Sequence, residues 1–408
     1  MDTKIGDLDI GSILDKINFG DQVEKEMKKM NALNIVNIGK TGIGKSTIIN
    51  AVFCKEGFAE TGIGRPVTQH CKAYTIPNSP ITIYDSKGLE TDGQENTKIL
   101  DEIYNVVKKQ NSSSDHNEYI HICWYCVLDG GNRLDKNEVE IIKKLRETIP
   151  VIVVVTQAVG AERTREFISV IKEDLPSIDI IPIMALPKVE VSEYGEMNIK
   201  SHGLDKLVEK SYNLLPEAVK KTFGAYQKAN VQMKINNAKN ACGLYSGAVA
   251  AAAFQPLPIA DAPIMVGIQI AMMVNITACF GLSPSEFDFK VVLSGLGGPF
   301  AAAFVGRTVV SLLKLIPGIG TVAGGAINAA TGASITYAIG SIYINVLSSI
   351  VKNDGKINEA EIVAALKKSA ENVDLDQMKR EWEKNKGSYS EEEAKTIKTI
   401  LEEAKKNI

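Results

Sequence analysis

The sequence predicts a three-layer α/β domain with a mostly parallel sheet, followed by an all-α apolar helical domain. Three observations carry this expectation. Short apolar runs alternate with amphipathic stretches from Asn34 to about Leu186. A glycine-rich loop joins the first run to a helical pattern. After about Pro216 the chain turns rich in alanine and glycine and stays largely apolar as far as Val351.

Each element follows from the spacing of its apolar residues. In residues 8–31, Leu8, Ile13, Ile17, Val23 and Met27 fall near helical spacing, broken around Phe19-Gly20, as in a helix packed ahead of the first strand. The apolar runs 34–39, 71–76, 80–85, 119–128, 150–156 and 178–184 read as strands. Helical patterns at 45–54, 94–110, 135–148 and 162–175 lie between them, so parallel strands with helices on both faces are expected. Residues 110–115 are a polar loop, and residues 217–241 a polar helical pattern. Beyond, Pro256, Pro258, Pro263, Pro284, Pro299 and Pro317 divide the apolar region into helices. Glycines four apart, at Gly243/Gly247 and Gly320/Gly324, permit close helix approach. The end of the chain mixes charges of both signs and reads as a solvated helical tail. Within it, Asp354–Glu361 mimics half of a calcium loop, but Ile350 and Lys352 stand where carboxylates are needed, so a turn before a helix is expected. The expected divisions are therefore 1–32, 33–216, 217–352 and 353–408.

Composition narrows the function. A chain of 408 residues with 45% hydrophobic and 23% charged residues is globular, and its net charge of −3 argues against nucleic acid as a partner. Six cysteines scattered among apolar residues suit a reducing cytoplasm. Cys123 and Cys126 form a C-x-x-C within a strand, where residues three apart face opposite ways and share a metal poorly. Asp2, Lys4, Asp7 and Asp9 stand where a secretory signal needs an apolar core, so a cytoplasmic chain is expected.

The chemistry begins at Gly39–Ser46, which fits the phosphate-loop pattern G-x-x-x-x-G-K-S/T without a mismatch, between a buried strand and an opening helix. Glycines let the backbone curl so that successive N–H groups face phosphates, at a helix N-terminus whose dipole favours anions. Gly39, Lys40, Thr41, Gly42, Ile43, Gly44, Lys45, Ser46 and Thr47 form the nucleotide-binding set. Lys45 is placed for the β- and γ-phosphates and the Ser46 hydroxyl for Mg²⁺. Downstream, Thr68 lies in the loop between the first helix and the next strand, where a hydroxyl can close onto Mg²⁺. Asp85-Ser86-Lys87-Gly88 matches D-x-x-G at a strand end: Asp85 can hold a Mg²⁺ water, and the Gly88 N–H can meet the γ-phosphate. Lys45, Thr68 and Gly88 are the candidate catalytic residues; Ser46, Thr68 and Asp85 are the candidate metal ligands.

This ordered set resembles the translation-factor-related GTPases, most of all the Era, septin, chloroplast import receptor and immunity-associated branch, whose G-K-S-S/T-L-I-N-A is similar to Lys45–Ala51. The resemblance covers roughly residues 33–190 and implies a P-loop GTPase domain that binds GTP with Mg²⁺ and hydrolyses it slowly to GDP. Two departures stand out. Where the family reads guanine with N/T-K-x-D, this chain has Thr156-Gln157-Ala158, similar to the reduced T-H-A of the import receptors; Glu162 is a candidate for the missing carboxylate. Leu89 follows Gly88 where Ras-like proteins place a water-orienting glutamine, which implies that such a group comes from elsewhere. Arg65 and Arg133 are candidate charge stabilisers, with surface solubility the favoured reading of each, and Ala185 matches the backbone position that approaches the base.

For residues 242–351 three readings stand: a soluble bundle, membrane contact by dipping or conditional insertion, and a docking surface. Ile264–Leu282 approaches spanning length but contains Gln269 and Asn275. Residues 255–263 also resemble an uncharacterised apolar helical domain found behind Era-like GTPases. The combined expectation is a GTP-binding switch with slow Mg²⁺-dependent hydrolysis, coupled to a membrane-associating helical domain and raised by a homodimer or an activating partner. A non-hydrolysing nucleotide-gated scaffold and an ATPase are the alternatives.

Overall fold

All six apolar runs are strands, each within one residue of its expected limits. The computed structural model describes residues 19–53, 65–86, 88–89, 93–131, 133–192, 195–253, 261–283, 329–353 and 389–406, with Lys368, Gln377 and Arg380. Residues 8–18, Gly64, Lys87, the apolar stretch 284–328 and the Asp354–Glu361 turn lie outside the described residues. The chain divides into two compact units: Met30–Asn230, and Met1–Lys29 together with Val231–Ile408.

In the first unit, β1 (Leu33–Ile38), β3 (Cys71–Thr75), β4 (Ile81–Ser86), β5 (Ile120–Leu128), β6 (Val151–Thr156) and β7 (Asp179–Ile183) join a two-residue edge strand β2 (Arg65–Pro66) in the order β2-β3-β4-β1-β5-β6-β7. Strands β4, β1, β5, β6 and β7 run parallel; β3 runs antiparallel to β4. The period-two alternation assigns the faces. Val36, Cys123, Tyr125 and Val153 pack with Ile103, Ile142 and Ile171 from α3 (Gly93–Gln110), α4 (Lys136–Arg146) and α5 (Ala161–Asp174). Trp124 points the other way. Its ring stacks 6.0 Å from Phe53 at the end of α2 (Lys45–Phe53), and its Nε1 donates to Ser211 Oγ at 3.0 Å in α6 (Leu204–Leu214). Cys123 lies in the first of these faces, while the Cys126 thiol donates to Asn37 at 3.3 Å.

Two features depart from the sequence reading. A hairpin, β8 (Lys188–Ser192) with β9 (Gly195–Ile199), follows β7 outside the main sheet. The helical pattern 217–241 is two helices, α7 (Glu217–Tyr226) and α8 (Val231–Ala253). They are separated where the buried Gln227 side chain binds the Gly224 and Asn230 carbonyls and accepts from the Asn230 N–H. The first belongs with the sheet: Phe223 meets Phe53 edge-on at 5.9 Å, and Thr222 Oγ1 donates to Asn31 O at 2.8 Å. The compact α/β unit therefore runs to Asn230, past the expected limit at residue 216.

In the second unit, α1 (Phe19–Lys28) buries Phe19, Val23 and Met27, one stripe at four-residue spacing. It joins α8, α9 (Asp261–Cys279), α10 (Ala329–Lys352) and α11 (Glu391–Lys406). Small residues set the helix spacing: a Cβ on Gly340 would collide with the Cys242 sulfur, and one on Gly247 would lie 2.9 Å from the Tyr389 hydroxyl. The charged end of the chain is not wholly solvated. Ile400 and Leu401 are buried with Ile397 against Ala248, Val249 and Ile268, a stripe that the dominance of charge in the sequence hides. Among the described residues, Gly332–Lys352 is long and apolar enough to cross a membrane, and 78% of its most apolar window is buried.

Candidate functional site

The phosphate loop occupies the carboxyl edge of the sheet, between β1 and α2. Gly42 and Gly44 hold φ of 77° and 101°, left-handed conformations that side chains resist. Gly39 is needed for proximity as well, since a Cβ there would lie 2.5 Å from the Cys126 carbonyl. The Lys45 side chain is buried and folds back on the loop, its Nζ donating to Gly39 O at 2.8 Å and Lys40 O at 3.0 Å. Burial lowers the Lys45 pKa, against the opposing pull of Asp85. Ser46 and Thr47 follow in the first turn of α2, where backbone N–H groups lack intrahelical partners.

Asp85 stands opposite Asn37 in the parallel β1–β4 register and opposite Lys72 in the antiparallel β3–β4 register. Burial pushes its carboxyl up to about 6, with Lys45, a long 3.5 Å hydrogen bond from Asn37 Nδ2, and Lys72 opposing. A half-buried carboxylate and a buried ammonium thus act on one another, each desolvated beyond what its neighbours compensate. Past β4 the chain folds onto the phosphate loop. A Cβ on Gly88 would lie 2.6 Å from the Thr41 N and Cα atoms. Leu89 N donates to Gly39 O at 3.2 Å, and Thr41 N donates to Leu89 O at 3.4 Å. The Leu89 side chain is 1% exposed and packs in the core, so it offers no polar group to the site.

Thr68 lies in a turn closed by Val67 N and Thr68 N onto Cys71 O. Its hydroxyl accepts from His70 N at 3.3 Å and also binds the Glu102 carboxylate of α3. Glu102 takes His70 twice, at the backbone N–H (3.3 Å) and at Nδ1 (2.6 Å). Burial alone would raise the Glu102 carboxyl; the hydrogen bonds from His70 and Thr68 outweigh it and hold the group below its ordinary value. Lys45, Asp85 and Gly88 are therefore gathered at the phosphate loop, while the Thr68 hydroxyl is engaged on Glu102.

On the other side of the loop, Thr156, Gln157 and Ala185 line a cleft of about 210 Å³ together with Gly44, Thr47 and Lys188. Gln157 takes a positive φ of 53°. The loop is pinned from behind by the buried Asp129, whose Oδ2 accepts from Thr164 Oγ1 (3.0 Å), Val159 N (3.3 Å) and Arg163 Nη2 (3.4 Å). Its Oδ1 is buried without a hydrogen-bond partner. Glu162 is exposed in the first turn of α5 and is not part of the cleft wall. Arg133 is exposed; the Arg65 backbone forms β2, and its side chain lies outside the described residues.

Sequence reasoning missed Asn37, His70, Glu102, Asp129 and the cleft residue Lys188. A polar residue inside an otherwise apolar strand marked Asn37, and proximity to Thr68 marked His70. Glu102 carried no signal, because it is one of many acidic residues on an amphipathic helix. For Mg²⁺ the donor set fits: the hydroxyls of Ser46 and Thr68 and the undercompensated carboxylate of Asp85 are hard oxygen donors, the kind this ion takes alongside water and phosphate oxygens.

Residues 34–157 match a family model described as 50S ribosome-binding GTPase. Magnetosome membrane protein 22 of Magnetospirillum gryphiswaldense is 32% identical over 108 residues, which are 26% of this chain and 55% of that protein. Septin-12 of Homo sapiens is 24% identical over 206 residues, covering 44% of this chain and 56% of the septin. The chain spans about half the length of these curated relatives. A solved structure titled as a probable GTP-binding protein engB shares 20% identity over 44% of this chain and 97% of its own, at a TM-score of 0.32. The loop at Gly39–Ser46, the strand-end Asp85 and the family match over residues 34–157 together mark the α/β unit as a P-loop GTPase domain.

Proposed function

We propose that this protein binds GTP and hydrolyses it slowly in a Mg²⁺-dependent reaction, acting as a nucleotide switch on its helical unit. The observation that carries the reading is the stitching of Gly88-Leu89 onto Thr41 and Gly39, with the buried Lys45 and the half-buried Asp85 both undercompensated beside it. A triphosphate answers these demands. Lys45 exchanges its two loop carbonyls for phosphate oxygens, and the N–H groups at the start of α2 receive the anion. Ser46, Thr68 and Asp85 would hold Mg²⁺, which when bound neutralises charge on the phosphates. Engaging the metal requires Thr68 to leave Glu102, and engaging the γ-phosphate draws on the Gly88 N–H. These movements of the loops at Thr68 and Gly88 are the switch.

The buried, apolar Leu89 supports slow turnover, since it cannot orient a water. Gln157 and the backbone at Ala185 take the base in the cleft beside Thr156. Titration with GTP, GDP and ATP, followed by turnover measured against protein concentration, tests the reading. Equal affinity for ATP would remove guanine selectivity, and binding without turnover would leave a scaffold. Turnover that rises with protein concentration would support a homodimer.

The helical unit is the part proposed to meet a membrane surface, cytoplasmic and peripheral or conditionally inserted. The length and composition of Gly332–Lys352 support this, as does the similarity to a magnetosome membrane protein. Co-flotation with liposomes in the GTP state and not in the GDP state is the expected result; no flotation in either state would reject membrane association.

A further inference from the structure

Guanine differs from adenine at two edges. Its O6 is an acceptor where adenine carries the N6 amino donor, and its 2-amino group adds a donor that adenine lacks. Reading the 2-amino edge takes an acceptor; reading O6 takes a donor. The cleft beside the phosphate loop is built for the second task. Among its described lining residues there is no aspartate or glutamate, and Lys188 is the one charged side chain. Glu162 is exposed and off that wall. Asp129 is buried behind the loop, with Oδ2 taken by Thr164, Val159 and Arg163, and does not line the cleft either. The Gln157 amide both donates and accepts, so it serves either purine.

The wall that carries Lys188 is held at both ends. Met184 and His202 exchange backbone hydrogen bonds at 3.1 and 2.9 Å, and Lys188 opens β8 opposite Ile199 of β9. Ala158 N donates to Ile183 O at 3.0 Å, which joins the loop after β6 to the end of β7 and makes one rim of the two cleft loops. Gly44 and Thr47 line the same cleft, so its inner end meets the phosphate loop. Leu186, 45% exposed, offers aliphatic surface to the face of a planar ring. An ammonium has three donors and no acceptor. Lys188 can therefore serve O6 while keeping another partner, and it has nothing to give the adenine amino group.

We propose that the cleft selects 6-oxopurine nucleotides through Lys188, which donates to O6 and turns away the N6 amino group of adenine, while the 2-amino group of guanine goes unread. The inference rests on the reading above that seats the base in this cleft. Inosine nucleotides keep O6 and lack only the 2-amino group, so they bind about as well as guanosine nucleotides. A site that reads the 2-amino edge with a carboxylate rejects inosine, because its acceptor is left without a partner.

The test is calorimetric titration of the full chain with GDP, IDP and ADP in the presence of Mg²⁺, diphosphates being used so that turnover does not intervene. GDP and IDP are expected to bind within about threefold of one another, and ADP about tenfold or more weaker. Lys188→Met should weaken GDP and IDP by about tenfold or more and leave ADP within about threefold. Lys188→Arg keeps the donors and should keep the order. Lys188→Glu, which offers an acceptor to the N6 amino group, should place ADP ahead of GDP. Lys188 is exposed, so the variants should melt with wild type. IDP about tenfold or more weaker than GDP overturns the proposal and leaves GTP binding intact. So does a GDP-to-ADP ratio in Lys188→Met within about twofold of wild type, including an equal loss of all three nucleotides. Equal affinity of wild type for GDP and ADP overturns the proposal together with guanine selectivity, and a chain that binds none of the three overturns the nucleotide reading itself.

Discussion

The two units bury polar groups in opposite ways. In the helical unit they satisfy one another: Gln269 Nε2 donates to Thr336 Oγ1 at 3.0 Å, the Thr277 and Tyr343 hydroxyls meet at 2.8 Å, and the buried Lys234 donates to the Phe280 carbonyl at 3.0 Å. In the α/β unit the charges at the carboxyl edge of the sheet are left in tension. Asp85 is pushed up to about 6, Lys45 is pulled down, and one oxygen of Asp129 lacks a partner. Low dielectric makes such groups costly unless a ligand arrives to complete them. The contrast separates a surface closed on itself from one awaiting an anion and a cation.

The largest expected effect breaks the open side. Lys45→Ala removes the ammonium that a triphosphate needs and should weaken GTP binding by about 100-fold or more in a fluorescence titration. Next comes Asp85→Asn, which separates function from stability. An aspartate whose folded pKa lies above its unfolded value binds extra protons in the folded state between roughly pH 4 and 6. That contribution is fully present below the unfolded value and is lost as pH rises through about 6. A displacement of this size is worth about 3 kcal/mol at most. Free of nucleotide, Asp85→Asn should therefore melt several degrees above wild type at pH 7.5, with the advantage fading by about pH 4. Its Mg²⁺-dependent gain in GTP affinity should fall. A variant that melts lower at pH 7.5 would show that the carboxylate is compensated.

How much of this was legible in the sequence also differs between the units. The strands appeared because parallel strands buried on both faces form continuous apolar runs, and β6 from Val151 to Thr156 is buried throughout. The phosphate loop appeared because its glycines and lysine are local in sequence. The dyad of His70 and Glu102 did not, since its partners lie 32 residues apart and only the pairing of β3 with β4 and the packing of α3 unite them. Asp129 was missed for a related reason: its role is to pin a loop about 30 residues downstream. In the helical unit, charge in Glu391–Lys406 masked the stripe of Ile397, Ile400 and Leu401. Apolar composition there spoke for burial and for a membrane equally; burial of 78% of the Gly332–Lys352 window is a tertiary fact.

The smallest effect sharpens the closed side of the comparison. Thr336 is fully buried, accepts from Gln269 and donates to Gly332 O at 2.9 Å. Thr336→Val keeps the shape and strands the Gln269 amide, which is itself 3% exposed. Stability should fall by about 1–2 kcal/mol, read as a lower denaturant midpoint. Adding Gln269→Leu removes the stranded amide and should restore most of the loss, because replacing both partners by apolar groups is close to neutral. The difference between the single and double changes measures the pair directly. GTP affinity should stay within about twofold in both variants, since every residue assigned to the nucleotide lies within Met30–Asn230. Strict additivity of the two losses would mean that the amide finds another partner. The bundle would then be polar by tolerance, and the contrast with the nucleotide site would narrow to Lys45 and Asp85 alone.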